Sequence, residues 1–408
     1  MKNAAVAANE TPAPPRSPTS DTSAVGLFGR AALIAFAVMS GVANGTLSPL
    51  LPQIEREFGT VHGNVTVTMA LTVLGLGILL GSLLGGWLSD RFSRRLVMAI
   101  SALVYGAAGC GIIFATSLEH VIVGRFILGI ALGTMGVATF AVIGDFWDEN
   151  GRNLWSGLIP AAGALAGMGL SVVAGMMADT SWRGSFLIYG VGFIAAMLSL
   201  AGIPAKRTAS TRQEEVVQGV PLALLPPIIL LGLIAGSIAT GTAAYLPHRL
   251  ADVGVDSSSG RAIAALSGAA AVVIVGFAYS RIRRFVSLDM AFVLGAAASA
   301  TGLVIMAYGS SPFIVSFGMG VEGIGIGLFM PSLMVYAIER SNENNRGRVV
   351  GLMKGAIFGG PFFVQFVLEP VRLSSGASPV LAILAASAVA LAIYFGIRWA
   401  QRRAPVPA

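Results

Sequence analysis

Three charged side chains fall inside long apolar stretches: Arg125, Lys354 and Glu322. A charge at the centre of a lipid-facing helix costs about 2.5–3.5 kcal/mol on insertion scales, so each needs water, an opposite charge or a bound solute. Glu322 is the one carboxylate well inside such a stretch. It reads either as a proton carrier or as half of a permanent ion pair with a basic residue. Arg125, within Gly124-Arg125-Phe126-Ile127-Leu128-Gly129, reads either as a cavity-lining group that couples solute to protons or as a structural partner inside a bundle. Lys354 either binds an anionic solute or snorkels its amine to the interface. Asn44 and Gln365 are neutral polar groups at similar depth, able to bind solute or tie helices together. Tyr245 lies near the end of its stretch, where an interfacial aromatic is the ordinary reading.

The elements that carry these residues follow from composition. The chain has 408 residues, 55% of them hydrophobic and 11% charged, with a mean hydropathy of +0.80. Soluble domains carry about 25% charged residues. Apolar runs predict spans at 28–51, 66–89, 95–115, 120–144, 154–177, 185–204, 223–246, 262–280, 288–308, 312–338, 349–369 and 378–398, each long enough to cross about 30 Å of hydrocarbon. With the N-terminus inside, 19 of the 26 Lys and Arg residues fall in inner segments and five in outer ones, namely Arg56, Arg183, Arg249, Arg261 and Arg372. That asymmetry predicts both chain ends in the cytoplasm of a bacterial inner membrane. The net charge of +7 is spread over these segments rather than gathered in one patch, which excludes nucleic acid as a partner.

Residues 1–27 read as a disordered tail, being rich in Pro, Ser, Thr and Ala. Residues 28–204 and 223–398 form two six-span bundles, joined by a polar loop at 205–222 and followed by a tail at 399–408. A weak internal repeat supports the division. Ala43-Asn44-Gly45-Thr46 ahead of Leu51-Pro52 echoes Ala239-Thr240-Gly241-Thr242 ahead of Leu246-Pro247, an offset of about 195 residues. Such halves place a solute site at their interface near mid-membrane. Cys110 is the sole cysteine, so neither an intrachain disulfide nor a cysteine metal cluster forms. The glycine series Gly77, Gly81 and Gly85, and the pairs Gly129/Gly133, Gly163/Gly167 and Gly323/Gly327, recur every four residues. They predict close helix contact, in seams that either slide or hold fast.

Residues 85–95, GGWLSDRFSRR, resemble the signature loop of the major facilitator superfamily at Gly86, Leu88, Asp90, Arg91, Arg94 and Arg95, with Ser93 where the pattern has glycine. The resemblance implies an all-α membrane fold of twelve transmembrane helices in two pseudo-symmetric bundles. It also implies a gate in which Asp90 pairs with the nearby arginines Arg91, Arg94 and Arg95 and faces the start of span 11. Arg125 with Gly129 resembles the span 4 motif of proton-coupled members, and spans 1, 4, 7 and 10 line the cavity in that family. Arg125 and Glu322 are therefore expected to face one wet space. Trp182-Arg183 resembles a pair common in efflux members, while Ile159-Pro160-Ala161-Ala162-Gly163 lacks the double glycine of drug antiporters.

The expectation is secondary transport of a small solute by alternating access, driven by a proton gradient and needing no cofactor. Export of small amphipathic or drug-like compounds leads. Uptake of a small organic anion such as a carboxylate is the alternative, motivated by two intramembrane cations against one carboxylate. The chain is expected to act as a monomer with the bilayer and its solute as partners. Enzymatic hydrolysis is not supported: His62, His120 and His248 lie near helix ends, and no metal or nucleophile motif is present.

Overall fold

The computed structural model describes residues 25–59, 61–62, 65–205, 221–341 and 346–403. Residues 1–24 of the expected disordered tail, most of the central loop, and residues 342–345 and 404–408 lie outside the described residues. Twelve helices are long and apolar enough to cross a membrane. Spans 1–6 are Leu27–Phe58, Met69–Ser89, Arg94–Phe114, Leu118–Phe146, Gly157–Thr180 and Gly184–Gly202. Spans 7–12 are Leu225–Asp252, Ser258–Phe285, Leu288–Tyr308, Pro312–Glu339, Val349–Ser375 and Ala377–Arg402. Residues 61–62 and 65–66 form a small antiparallel ribbon ahead of span 2. An even number of spans puts the start of span 1 and the end of span 12 on one face, called here the chain-end face; the opposite face is the distal one.

Spans 1–6 pack on one another, as do spans 7–12. The glycine seams show why. A methyl group at Gly77 would lie 2.5 Å from the Phe126 carbonyl, and Gly81 abuts the Ile130 backbone in the same way. Gly163 and Gly167 of span 5 meet Gly41 of span 1, and Gly323 of span 10 meets Gly268 of span 8. All these close approaches lie within one half, so the expected seams fasten each bundle internally.

Polar side chains begin several helices. Ser93, Asp148, Ser257, Ser287 and Ser311 each accept from a backbone N–H in the first turn of the helix they precede, satisfying a donor that has no helical partner.

Spans 1 and 11 are among those that run further than their apolar runs. Span 1 tightens through a turn at Ser48–Leu50 and continues as a short helix, Leu51–Phe58. Pro52 fits there because the first turn needs no N–H from it. Span 11 contains Pro361, passes through a π-helical stretch at Val364–Leu368 and continues to Ser375. Its polar end, Glu369 and Arg372, has the composition of a loop. The two instead pair within the helix at 2.8 Å and are 1% and 9% exposed.

Candidate functional site: a cavity between the two halves

A cavity of about 650 Å³ lies between the halves. Its walls come from spans 1, 5, 7 and 8, with Phe140 of span 4 and Met319 of span 10. Five polar side chains reach it: Ser40, Asn44, Ser48, Ser171 and Arg261. The rest is small or apolar. Asn44 is exposed although it lies inside a span, and its amide nitrogen donates to the Ser40 carbonyl at 2.8 Å. Arg261, expected in an outer loop, is 1% exposed at the start of span 8. It donates to the carbonyls of Pro49, Val255 and Asp256 and to the Ser258 hydroxyl, at 2.8 to 3.1 Å.

Hydrogen bonds and ion pairs between described residues of the two halves gather at the distal side. Glu55 reaches His248 at 2.6 Å and Arg372 at 2.7 Å. Asp179 accepts from the Ser258 backbone N–H at 2.7 Å, at the first turn of span 8, and also pairs with Ser259. Ser48 donates to the Ala243 carbonyl at 2.5 Å, and Thr72 to the Pro361 carbonyl at 3.2 Å. Among the described residues, the halves are thus tied together by polar contacts at the distal face.

The other residues singled out in the sequence take different places. Arg125 is fully buried inside the first half. Its Nε donates to the Ala70 carbonyl at 3.2 Å and Nη1 to the Tyr189 hydroxyl at 2.9 Å, while Nη2 has no partner. It faces spans 2 and 6 and not the cavity, because the glycine seam between spans 2 and 4 fixes the rotation of span 4. Glu322 is 2% exposed inside the second half, where the Thr242 hydroxyl lies 3.4 Å from Oε1. Met319, three residues earlier, lines the cavity; Glu322 sits one turn further along span 10 and does not line it. Arg125 and Glu322 therefore do not share one wet space.

Gln365 joins the halves: its Oε1 accepts from Thr68 at 2.8 Å and its Nε2 donates to Thr66 at 2.7 Å. Tyr245 is not interfacial. It is wholly buried and its hydroxyl approaches the Val364 carbonyl at 3.4 Å. Lys354 is exposed and does not line the cavity.

In the signature loop, Arg94 pairs with Asp145 at the end of span 4 and donates to the Ala141 carbonyl at 2.5 Å. The Arg91 guanidinium lies 4.5 Å from the Trp87 ring centre, and Arg95 is half-buried. A methyl group at Gly86 would meet nothing within 4 Å. The Asp90 side chain lies outside the described residues, as do those of residues 346–348, just ahead of span 11.

Sequence reasoning missed Glu55, Asp179, Glu369 and the buried state of Arg261 and Arg372. Their signal was a cluster of opposite charges at helix ends, which resembles ordinary loop composition. Trp182-Arg183 also gains a physical role. Trp182 donates to Glu57 at 2.5 Å and Arg183 pairs with Glu57 at 2.6 Å, fastening the extension of span 1.

The Major Facilitator Superfamily profile matches residues 33–365. The chain belongs to the major facilitator superfamily. Among curated relatives, the inner membrane metabolite transport protein YdjE of Escherichia coli K12 is 33% identical over 135 residues, covering 33% of this chain and 29% of that protein. The multidrug transporter MdfA of Edwardsiella ictaluri is 28% identical over 192 residues, 45% of this chain and 44% of that protein. The cis,cis-muconate transport protein of Acinetobacter baylyi is 26% identical over 179 residues, 42% and 43%. The chain spans less than half the length of each of these relatives. Among solved structures, the inward open conformation of the xylose transporter XylE from E. coli matches with a TM-score of 0.73 at 14% identity, over 90% of this chain and 96% of that one. The nucleoside transporter NupG matches with a TM-score of 0.71 at 13% identity, over 93% and 98%. These likenesses establish the fold. Superfamily membership and the bacterial relatives fit a multi-pass inner-membrane protein.

Proposed function

We propose that this chain exports small amphipathic compounds in exchange for protons, with the solute held in the cavity beside Asn44. The observation that carries this reading is the cavity wall, largely apolar with four neutral hydrogen-bonding side chains, one cation at Arg261 and no carboxylate among its lining residues. Such a surface favours apolar bodies and uses its polar groups for orientation. The relatives named as multidrug transporters agree with it. Glu322 is the proton carrier. It lies one helical turn from the wall residue Met319, and its partner Thr242 is next to the wall residue Ala243. Asp90, Arg91, Arg94 and Arg95 form the gate that closes the chain-end face, and the excess of basic residues there makes it the cytoplasmic face. One chain holds both walls of the cavity, so a monomer suffices, and the proton gradient replaces any cofactor.

Proton-coupled uptake of a small organic anion is the second reading. Arg261 favours it, as a buried cation in the cavity wall whose hydrogen-bond partners are neutral oxygens. The relative named for cis,cis-muconate transport agrees with it.

Proteoliposome flux under an imposed pH gradient separates the two. Export predicts movement of a lipophilic cationic dye against the proton flow, lost in Glu322→Gln. Movement of benzoate together with protons, without dye movement, overturns export in favour of uptake. Flux unchanged by Glu322→Gln removes Glu322 from the coupling.

A further inference from the structure

The His248 imidazole is held between two acceptors. Its Nδ1 lies 3.0 Å from the Ala244 carbonyl, which can only accept, and its Nε2 lies 2.6 Å from Glu55 Oε2. Each contact needs a proton, yet a neutral imidazole supplies one and an ionised carboxylate none. The arrangement is complete with one more proton, whether written as imidazolium beside carboxylate or as imidazole beside carboxylic acid.

The charge of the cluster gives the same count. Span 11 contributes Arg372, which donates to Glu55 Oε1 at 2.7 Å and to Glu369 at 2.8 Å. The four side chains are 1% to 12% exposed. With His248 neutral and both carboxylates ionised, this pocket holds two negative charges and one positive. The additional proton brings it to neutrality, which is how buried ionic groups avoid a large desolvation cost. The other charges nearby are engaged elsewhere. On span 7, Arg249 donates to the Met306 and Gly309 carbonyls and lies 3.9 Å from Asp252. On the span 1 extension, Arg56 lies 3.8 Å from Asp256, and Glu57 is held by Arg183 and Trp182. Tyr245, one turn before His248, approaches Val364 and also meets Glu369, adding a neutral hydroxyl to the cluster.

Glu55 belongs to the first half of the chain, and His248, Arg372 and Glu369 to the second. We infer that Glu55 and His248 form a proton-binding site that is assembled when the distal face closes and taken apart when it opens. A proton taken up there locks the halves together; its loss releases them. The site is separate from Glu322, and the inference holds whatever solute is carried.

The test needs no solute. In the full chain with Cys110→Ala, spin labels at Ser181→Cys and Ser310→Cys report the separation of the halves at the distal face. Both positions are exposed there. The expected result in lipid nanodiscs is a short-distance population at pH 5.5 that gives way to a longer one as pH rises. The sign follows from linkage: the closed form binds more protons, so raising pH disfavours it, by up to about tenfold in the closed-to-open ratio per pH unit. His248→Gln keeps a neutral side-chain amide at that position and flattens the profile, whereas His120→Gln, at an exposed histidine of the same face, leaves it in place. A flat profile in the unsubstituted protein overturns the proposal without any variant. So does an undiminished profile in His248→Gln or, where that protein does not fold, in Glu55→Gln. Failure to transport dye or benzoate would leave these distances untouched, so the two readings fail separately.

Discussion

Ser48 donates to the Ala243 carbonyl at 2.5 Å, and Pro247 is the reason that carbonyl is available. In a regular helix the Ala243 oxygen would accept from the N–H four residues on, and proline has none. A break in span 7 is thus completed by span 1, 195 residues away in sequence. Ser48→Ala is expected to weaken distal closure by about 1–3 kcal/mol, because it leaves a polar group unpaired at the closed contact. Spin-label distances across the distal face measure it as a larger open population. Pro247→Ala returns an N–H to the helix, so the two substitutions together are expected to cost less closure than the sum of their separate effects.

Arg125 should prove a stability residue. Tyr189→Phe removes the acceptor of its Nη1 in a wholly buried site where Nη2 already lacks a partner. Thermal unfolding in detergent is expected to show a loss of about 1–3 kcal/mol. Solute affinity of the folded protein is expected to stay unchanged, since neither residue lines the cavity. A weakened affinity without a stability loss would place Arg125 back on the solute path.

Two glycines in span 2 should behave in opposite ways. A side chain at Gly81 meets the Ile130 backbone, which has no rotamer to yield, whereas one at Gly86 meets open space. Gly81→Val is expected to destabilise the protein by at least about 1–3 kcal/mol through overpacking. Gly86→Ala is expected to stay within about 0.5 kcal/mol. Any loss of flux in Gly86→Ala would then report on closure of the chain-end face and not on folding, and parallel melting curves and flux assays separate these effects.

The spans were legible because a membrane leaves few alternatives: backbone polar groups must be satisfied within the segment, so long apolar runs are helices. The run 288–308 coincides with span 9. The ends of spans 1 and 11 were not legible. Glu55, Glu369 and Arg372 look like loop residues until the partner half is in place, and that partner lies 193 to 317 residues away. Rotational facing was equally hidden. Depth alone placed Arg125 and Glu322 on the solute path, but the glycine seams decide which face of each helix looks inward. Those seams turn Arg125 towards Tyr189 and leave Asn44 as the one residue among those expected to contact solute or carry coupling that lines the cavity.

The central claim is that the cavity beside Asn44 is the solute's place and communicates with the chain-end face in this conformation. Asn44→Cys in the Cys110→Ala protein tests it most directly, using a membrane-impermeant maleimide applied to one side of oriented proteoliposomes. Labelling from the chain-end side, slowed by a transported solute, is the predicted result. Labelling confined to the distal side at acid pH, or no labelling from either side, would contradict the account.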